Sequence, residues 1–176
     1  MKKIALFLFY TILFIGALLF FTPKESLYYF GEEQLKPLGV VIGYEEAIDH
    51  GFTLEIQHAK LYVQKIKSAN IGSIDIGLFL LYNSITVSNV VLDKTFEQFF
   101  PPLIERIDVQ QSIFNPLNIN AEAVGDFGEA TATVNLLERN ASVVLKPSKT
   151  MLSRYKNTLR QLKKSKEGDY RYEYKF

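Results

Sequence analysis

The chain has 176 residues, a formal net charge of +1, no cysteine, no tryptophan and two histidines among ten tyrosines and fourteen phenylalanines. Without cysteine there is no disulfide, thiolate zinc site or cysteine nucleophile, and His50 and His58 lack the spacing of a histidine metal site. The overall charge conceals a division, with a net −6 over residues 1–145 and +7 over residues 146–176.

From Ile4 to Phe21 no residue is charged; Lys2 and Lys3 precede the run, and Pro23, Lys24 and Glu25 close it. A helix over this run is about 27 Å long at ~1.5 Å per residue, close to the hydrocarbon thickness of a bilayer. A cleavable signal has a shorter apolar run followed by small residues, whereas Leu18 to Phe21 are bulky, so residues 1–23 read as an uncleaved transmembrane anchor. The leading lysines place the N-terminus in the cytoplasm and residues 24–176 across the membrane as one domain.

Residues 24–36 suit a short helix outside the membrane, weakened by Gly31. After Pro37 the chain turns β-branched, and from Phe52 apolar residues recur at every second position: Phe52, Leu54 and Ile56, then Ala59, Leu61 and Val63. The phase slips near His58, which predicts a bulge or tight bend. Further strands carry Ile74, Ile76, Leu78 and Leu80, then Ile85 and Val87, with "ANIGS" and "YNS" read as turns between them. A short helix from about Lys94, stopped by Pro101 and Pro102, interrupts this meander. Strand character returns at Ile104, Ile107 and Val109 and continues through Ile113, Leu117, Ile119, Ala121 and Ala123. The clearest hairpin places Ala130, Ala132, Val134 and Leu136 on one face, turns at "ERN", and returns with Ala141, Val143 and Leu145.

Ser148 is positioned to cap a helix whose stripe is Met151, Leu152, Tyr155, Leu159 and Leu162, ended by Glu167, Gly168 and Asp169. Its other side carries Lys156, Arg160, Lys163 and Lys164, a basic surface suited to anionic headgroups or an acidic partner. The predicted class is therefore mainly β, an α+β arrangement of N-terminal transmembrane helix, curved antiparallel sheet, C-terminal amphipathic helix and last strand.

No nucleophile elbow, phosphate loop, dinucleotide fingerprint or zinc-protease motif occurs, and "GDFGEA" leads into a strand where a phosphate loop needs a helix. The sequence thus predicts a non-enzymatic protein without cofactor or metal. Nucleic acid is not expected outside the cytoplasm. The closing "YRYEYKF" puts Tyr170, Tyr172, Tyr174 and Phe176 on one face, like the last strand of an outer-membrane barrel. The apolar anchor, too few clear strands and the basic helix before the last strand argue against a barrel.

From Gly125 to Tyr174, the G-D-F-G turn into a hairpin, "KPSKTMLSRYKNTLRQLKK" and a glycine-led last strand resemble the type II secretion system protein N family, itself similar to AsmA-like proteins. "TPKESLYYFGEEQL" and "NSITVSNVVL" add to the resemblance. It implies a periplasmic β-rich domain anchored in the inner membrane, partnered with other envelope or secretion-system proteins in assembly, or handling lipid along a curved sheet. In the lipid reading the apolar groove is lined by Phe52, Leu54, Ile56, Ile74, Ile76, Leu78, Tyr170, Tyr172 and Tyr174; the alternative is that these side chains are filled core.

Overall fold

The computed structural model describes residues 2–79, 81–165 and 168–176. Helix α1 (Lys2–Phe21) carries no charge after Lys2 and Lys3, and none of its residues is buried by the rest of the chain. It is long and apolar enough to cross a membrane. Pro23 breaks it, and α2 (Lys24–Leu35) follows, passing Gly31 without interruption and ending in a 3-10 turn at Lys36–Leu38.

The strands are β1 (Val40–Gly43), β2 (Glu46–Asp49), β3 (Thr53–Gln57), β4 (Lys60–Val63), β5 (Ile66–Leu78), β6 (Tyr82–Leu92) and β7 (Leu103–Ser112). After them come β8 (Asn118–Gly125), β9 (Gly128–Asn135), β10 (Asn140–Pro147), the short helices α3 (Lys149–Arg154) and α4 (Lys156–Leu159), β11 (Lys163–Lys164) and β12 (Tyr170–Lys175). All join one antiparallel sheet that does not close: its path runs β1-β4-β5-β6-β7-β8-β9-β10-β12-β11, with β2 and β3 continuing beside β5. The fold is mainly β, as the alternating sequence pattern predicts.

A crease crosses the first strands. His58 and Tyr44 take positive φ where β3 gives way to β4 and β1 to β2. Gly72 in β5 lies opposite Asn89 of β6, itself at φ 54°, and a Cβ on Gly72 would press on the Asn89 side chain. In β7 the register shifts between Ile104 and Arg106. A one-residue slip turns every later side chain to the other face, so slips aligned across neighbouring strands let the sheet bend while its apolar set stays inside. On one side of the crease the inner residues are Leu61, Ala69, Ile71, Val90 and Ile104; on the other they are Leu54, Ile56, Ile74, Ile76, Val87 and Ile107.

Several local expectations are corrected. "ANIGS" is the middle of the continuous strand β5, and the turn lies at Gln64–Lys65, where both residues take positive φ as a two-residue hairpin of the primed type requires. "YNS" opens β6. The helix expected at Lys94 is a run of tight turns, Phe96 N–H donating to the Asp93 carbonyl and Phe99 N–H to that of Phe96. Ile113 and Leu117 belong to the turn between β7 and β8, and Leu136 to the β9–β10 turn, where it is exposed. Ser148 does cap α3, its hydroxyl accepting from Met151 N–H at 3.1 Å. The single amphipathic helix, however, breaks at Tyr155, and Lys163 and Lys164 are strand residues paired with Arg171 and Tyr170. Leu80 and Glu167, assigned above to the inner face and the helix stop, lie outside the described residues.

Two clusters fill the interior. The first unites Leu54, Ile56, Ala59, Ala69, Ile71, Ile74 and Val90 beneath Tyr28 of α2. The second sets Phe127, Leu145, Met151 and Leu159 against Tyr155, Leu162 and Tyr170. Burial raises the Tyr28 hydroxyl pKa, and the nearby Glu45 and Glu32 carboxylates raise it further.

Candidate functional site

Direct cross-strand partners point to the same face, so the register shows what each face offers. One row runs Leu54, Ile76, Ile85, Val109, Ala121, Ala132, Val143, Tyr172. The next runs Ile56, Ile74, Val87, Ile107, Ala123, Ala130, Leu145, Tyr170. Between them on the opposite face lie Asp75, Thr86, Asp108, Glu122, Thr131, Val144 and Arg171. That face is polar: Asp108 accepts from Arg106 Nε at 2.6 Å, which chiefly holds its carboxyl below the usual range, and from the Thr86 hydroxyl at 2.7 Å, which adds to the effect. The sheet therefore has one apolar and one solvated face, and four alanines give β8 and β9 a shallow inner surface.

Over this surface lies an open-sided cleft of about 770 Å³, within the roughly 300–1,000 Å³ of ordinary ligand pockets. Its floor includes Leu61, Ala69, Val90, Leu92, Ile104, Ile107, Ala130, Val143, Leu145 and Tyr172. Its cover comes from Phe96, Phe100 and Pro101 of the β6–β7 connection and from Thr158, Gln161 and Leu162 after β10. The two covering segments are tied together by the Thr158 hydroxyl, which donates to the Phe99 carbonyl at 2.7 Å. Among the described residues the lining also includes Ser68, whose hydroxyl is already bonded to the Ile66 carbonyl. Such a lining offers dispersion and water exclusion, with few groups for orienting a polar ligand.

The residues proposed from sequence as groove liners separate into three groups. Leu54, Ile56 and Ile74 are buried under α2 as filled core, and Tyr170 packs into the second cluster. Phe52 lies at the β2–β3 turn, its ring edge-on to Phe20 of α1 at 5.4 Å. Tyr172 lines the cleft; Ile76, in the same cross-strand row, packs against the first cluster, and Leu78 and Tyr174 lie on that face nearer the α1 end. Tyr172 and Tyr174 are 47% and 55% exposed, so this part of the aromatic row is open surface.

Sequence reading missed the cover. Its signal was "FEQFFPP", an unusual aromatic density in a connection between strands, which helix periodicity obscured. Lys156, Arg160 and Lys164 do converge, together with Leu152, Leu159, Leu162 and Tyr170, around a separate hollow of about 400 Å³. Lys164 Nζ stands 5.9 Å from the Tyr170 ring centre. Lys163, on β11, is exposed and outside that lining.

The C-terminal end of α1 is fixed to the sheet at one place. Lys24 is buried and its ammonium donates to the Leu19 and Thr22 carbonyls, both at 3.0 Å, satisfying groups a helix end leaves free. Asp49 stands 3.8 Å from that ammonium and accepts from the Gly51 N–H at 2.8 Å. The Gly51 bond, and after it the Lys24 contacts and His50, hold the Asp49 carboxyl below its ordinary value. Gly51 has φ 86°, and a Cβ there would collide with the Phe20 ring, so glycine permits this contact twice over.

Fold and site define a creased, open β-sheet with an apolar inner face, a partly covered cleft and an apolar N-terminal helix. Comparison of the chain with family models, curated proteins and solved structures returned no match in any of the three.

Proposed function

We propose that the protein is a membrane-anchored binder of a lipid acyl chain, holding it in the cleft on the inner face of the sheet. The supporting observation is the cleft itself: about 770 Å³, lined almost wholly by apolar side chains and continuous with an apolar face running towards α1. In this reading α1 spans the inner membrane with Lys2 and Lys3 in the cytoplasm, and residues 24–176 lie on the periplasmic side. Moving a chain from bilayer to cleft exchanges one apolar environment for another, so occupancy depends on packing. No catalytic step is required.

The test is native mass spectrometry with lipid extraction on the full-length protein released from membranes. A phospholipid or fatty acid retained at fixed stoichiometry supports the reading; a lipid-free chain from lipid-rich membranes removes it.

A second reading, an assembly component of an envelope or secretion machine, is favoured by one feature. Beyond Tyr170 and Arg171 the outer edge of β12 is unpaired among the described residues, and such an edge can accept a partner's strand.

A further inference from the structure

The alternation of strand directions sends the β2–β3, β5–β6, β7–β8 and β9–β10 turns and the end of β12 to one end of the sheet. It is the end where α1 is held, through Lys24 on Asp49 and Phe20 on Phe52. Turn tips ordinarily favour glycine, proline, asparagine, aspartate and serine. Here they present large apolar side chains to solvent: Leu81 is 51% exposed, Phe114 80%, Leu137 75% and the terminal Phe176 52%. A single exposed apolar residue needs no explanation, but one on each successive tip from the β5–β6 turn to the end of β12 does.

The exposed charges beside these tips are Glu138, Arg139 and Lys175. The opposite end is apolar in part as well, with Leu38, Ile66, Phe99 and Phe100 exposed, but there they stand among Lys36, Lys65, Lys94 and Glu97. The basic segment after β10 also lies at that end, since Tyr170 pairs with Leu145 near the close of β10.

We infer that the α1-proximal rim of the sheet is a bilayer-contact edge, whose apolar tips enter the headgroup region of the membrane that α1 crosses. From β3 to β12 the rim covers seven strand intervals, up to about 34 Å at ~4.8 Å each. A row of aromatic and aliphatic side chains is the chemistry that settles at a membrane interface. The partner is therefore the lipid surface itself, and a protein covering the same tips is the alternative outcome. Docked this way, the apolar inner face meets the membrane at its open end, giving a chain a route to the cleft without crossing water. The inference rests on α1 spanning the bilayer and does not require the cleft to be occupied.

Because the chain has no cysteine, single cysteines can carry an environment-sensitive fluorophore at one position each. Full-length protein is reconstituted into phosphatidylcholine–phosphatidylglycerol vesicles containing shallow spin-labelled lipid, with labels at Phe114→Cys, Leu137→Cys, Lys65→Cys and Glu97→Cys. The expected result is quenching and a blue-shifted emission at 114 and 137, and neither at 65 and 97. Unquenched labels at 114 and 137, or equal quenching at all four, would overturn the inference. A rim that is quenched on a protein carrying no extractable lipid leaves this edge standing while the cleft reading fails; lipid in the cleft with an unquenched rim does the reverse.

Discussion

Replacing Val143 by tryptophan tests the cleft without disturbing the buried clusters. Val143 lies between Ala132 and Tyr172 in register and faces the cleft, and the small Ala132 leaves room for a larger ring. If the indole covers an additional ~100 Å² of apolar surface it gains about 2.5 kcal/mol at ~25 cal/mol per Å², and overpacking costs about 1–3 kcal/mol, so the two nearly offset. The melting temperature should therefore stay close to that of the unaltered protein. A chain bound in the cleft has no such compensation: displacing about four methylenes at ~0.8 kcal/mol each loses about 3 kcal/mol, roughly a 200-fold weakening. The assay is extracted lipid per protein chain, with thermal unfolding measured on the same samples. Unchanged lipid content alongside an unchanged melting temperature would rule out a chain bound in the cleft, because the ring would then fill space that no ligand uses.

Met151 is fully buried between Phe127, Leu145 and Leu159, so Met151→Ala should destabilise by about 2–5 kcal/mol, whereas the exposed neighbour Leu152→Ala should cost less than about 0.5 kcal/mol by denaturant titration. Equal costs would restore the continuous helical stripe. Leu145→Asp places an unpaired charge in the second cluster and should prevent folding, while Leu136→Asp on the exposed turn should leave the circular dichroism spectrum unchanged. Changing Lys156, Arg160, Lys163 and Lys164 together to glutamine should leave vesicle attachment intact. These residues lie about the length of β10 from the rim, roughly 25 Å at ~3.3 Å per residue and several times the ~8 Å screening length at physiological salt, so weakened flotation would contradict their placement. Asp49 is held below its ordinary pKa, so the stability it contributes is complete above the unfolded carboxyl range near ~4 and is lost as pH falls through its lower folded value. An NMR titration of the Gly51 amide should show a midpoint below that of an exposed aspartate; a midpoint at or above it would contradict the capped arrangement.

The mainly β class was legible because alternation survives in almost every strand, and the bend at His58 was legible because it interrupts that alternation. The Gln64–Lys65 turn was hidden because neither residue is a usual choice at positive φ, while the glycine in "ANIGS" suggested a turn where the chain instead uses it for close packing across β5 and β6. The helix stripe misled at Tyr155, since residues at helical spacing continue through the break and only tertiary pairing makes Lys163 and Lys164 a strand. Identifying an apolar sheet face was within reach of periodicity; dividing it into filled core and open cleft was not. That division depends on where α2 and the 93–102 connection come to rest, and single-strand patterns carry no information about either.

The most direct test is photocrosslinking from within the sheet. A benzoylphenylalanine placed at Ile107, on the cleft floor, and another at Thr131, on the polar face, would be irradiated in cells making the full-length protein. A lipid adduct is expected at 107 and none at 131. No adduct at 107, or equal labelling from both faces, would contradict a chain bound in the cleft.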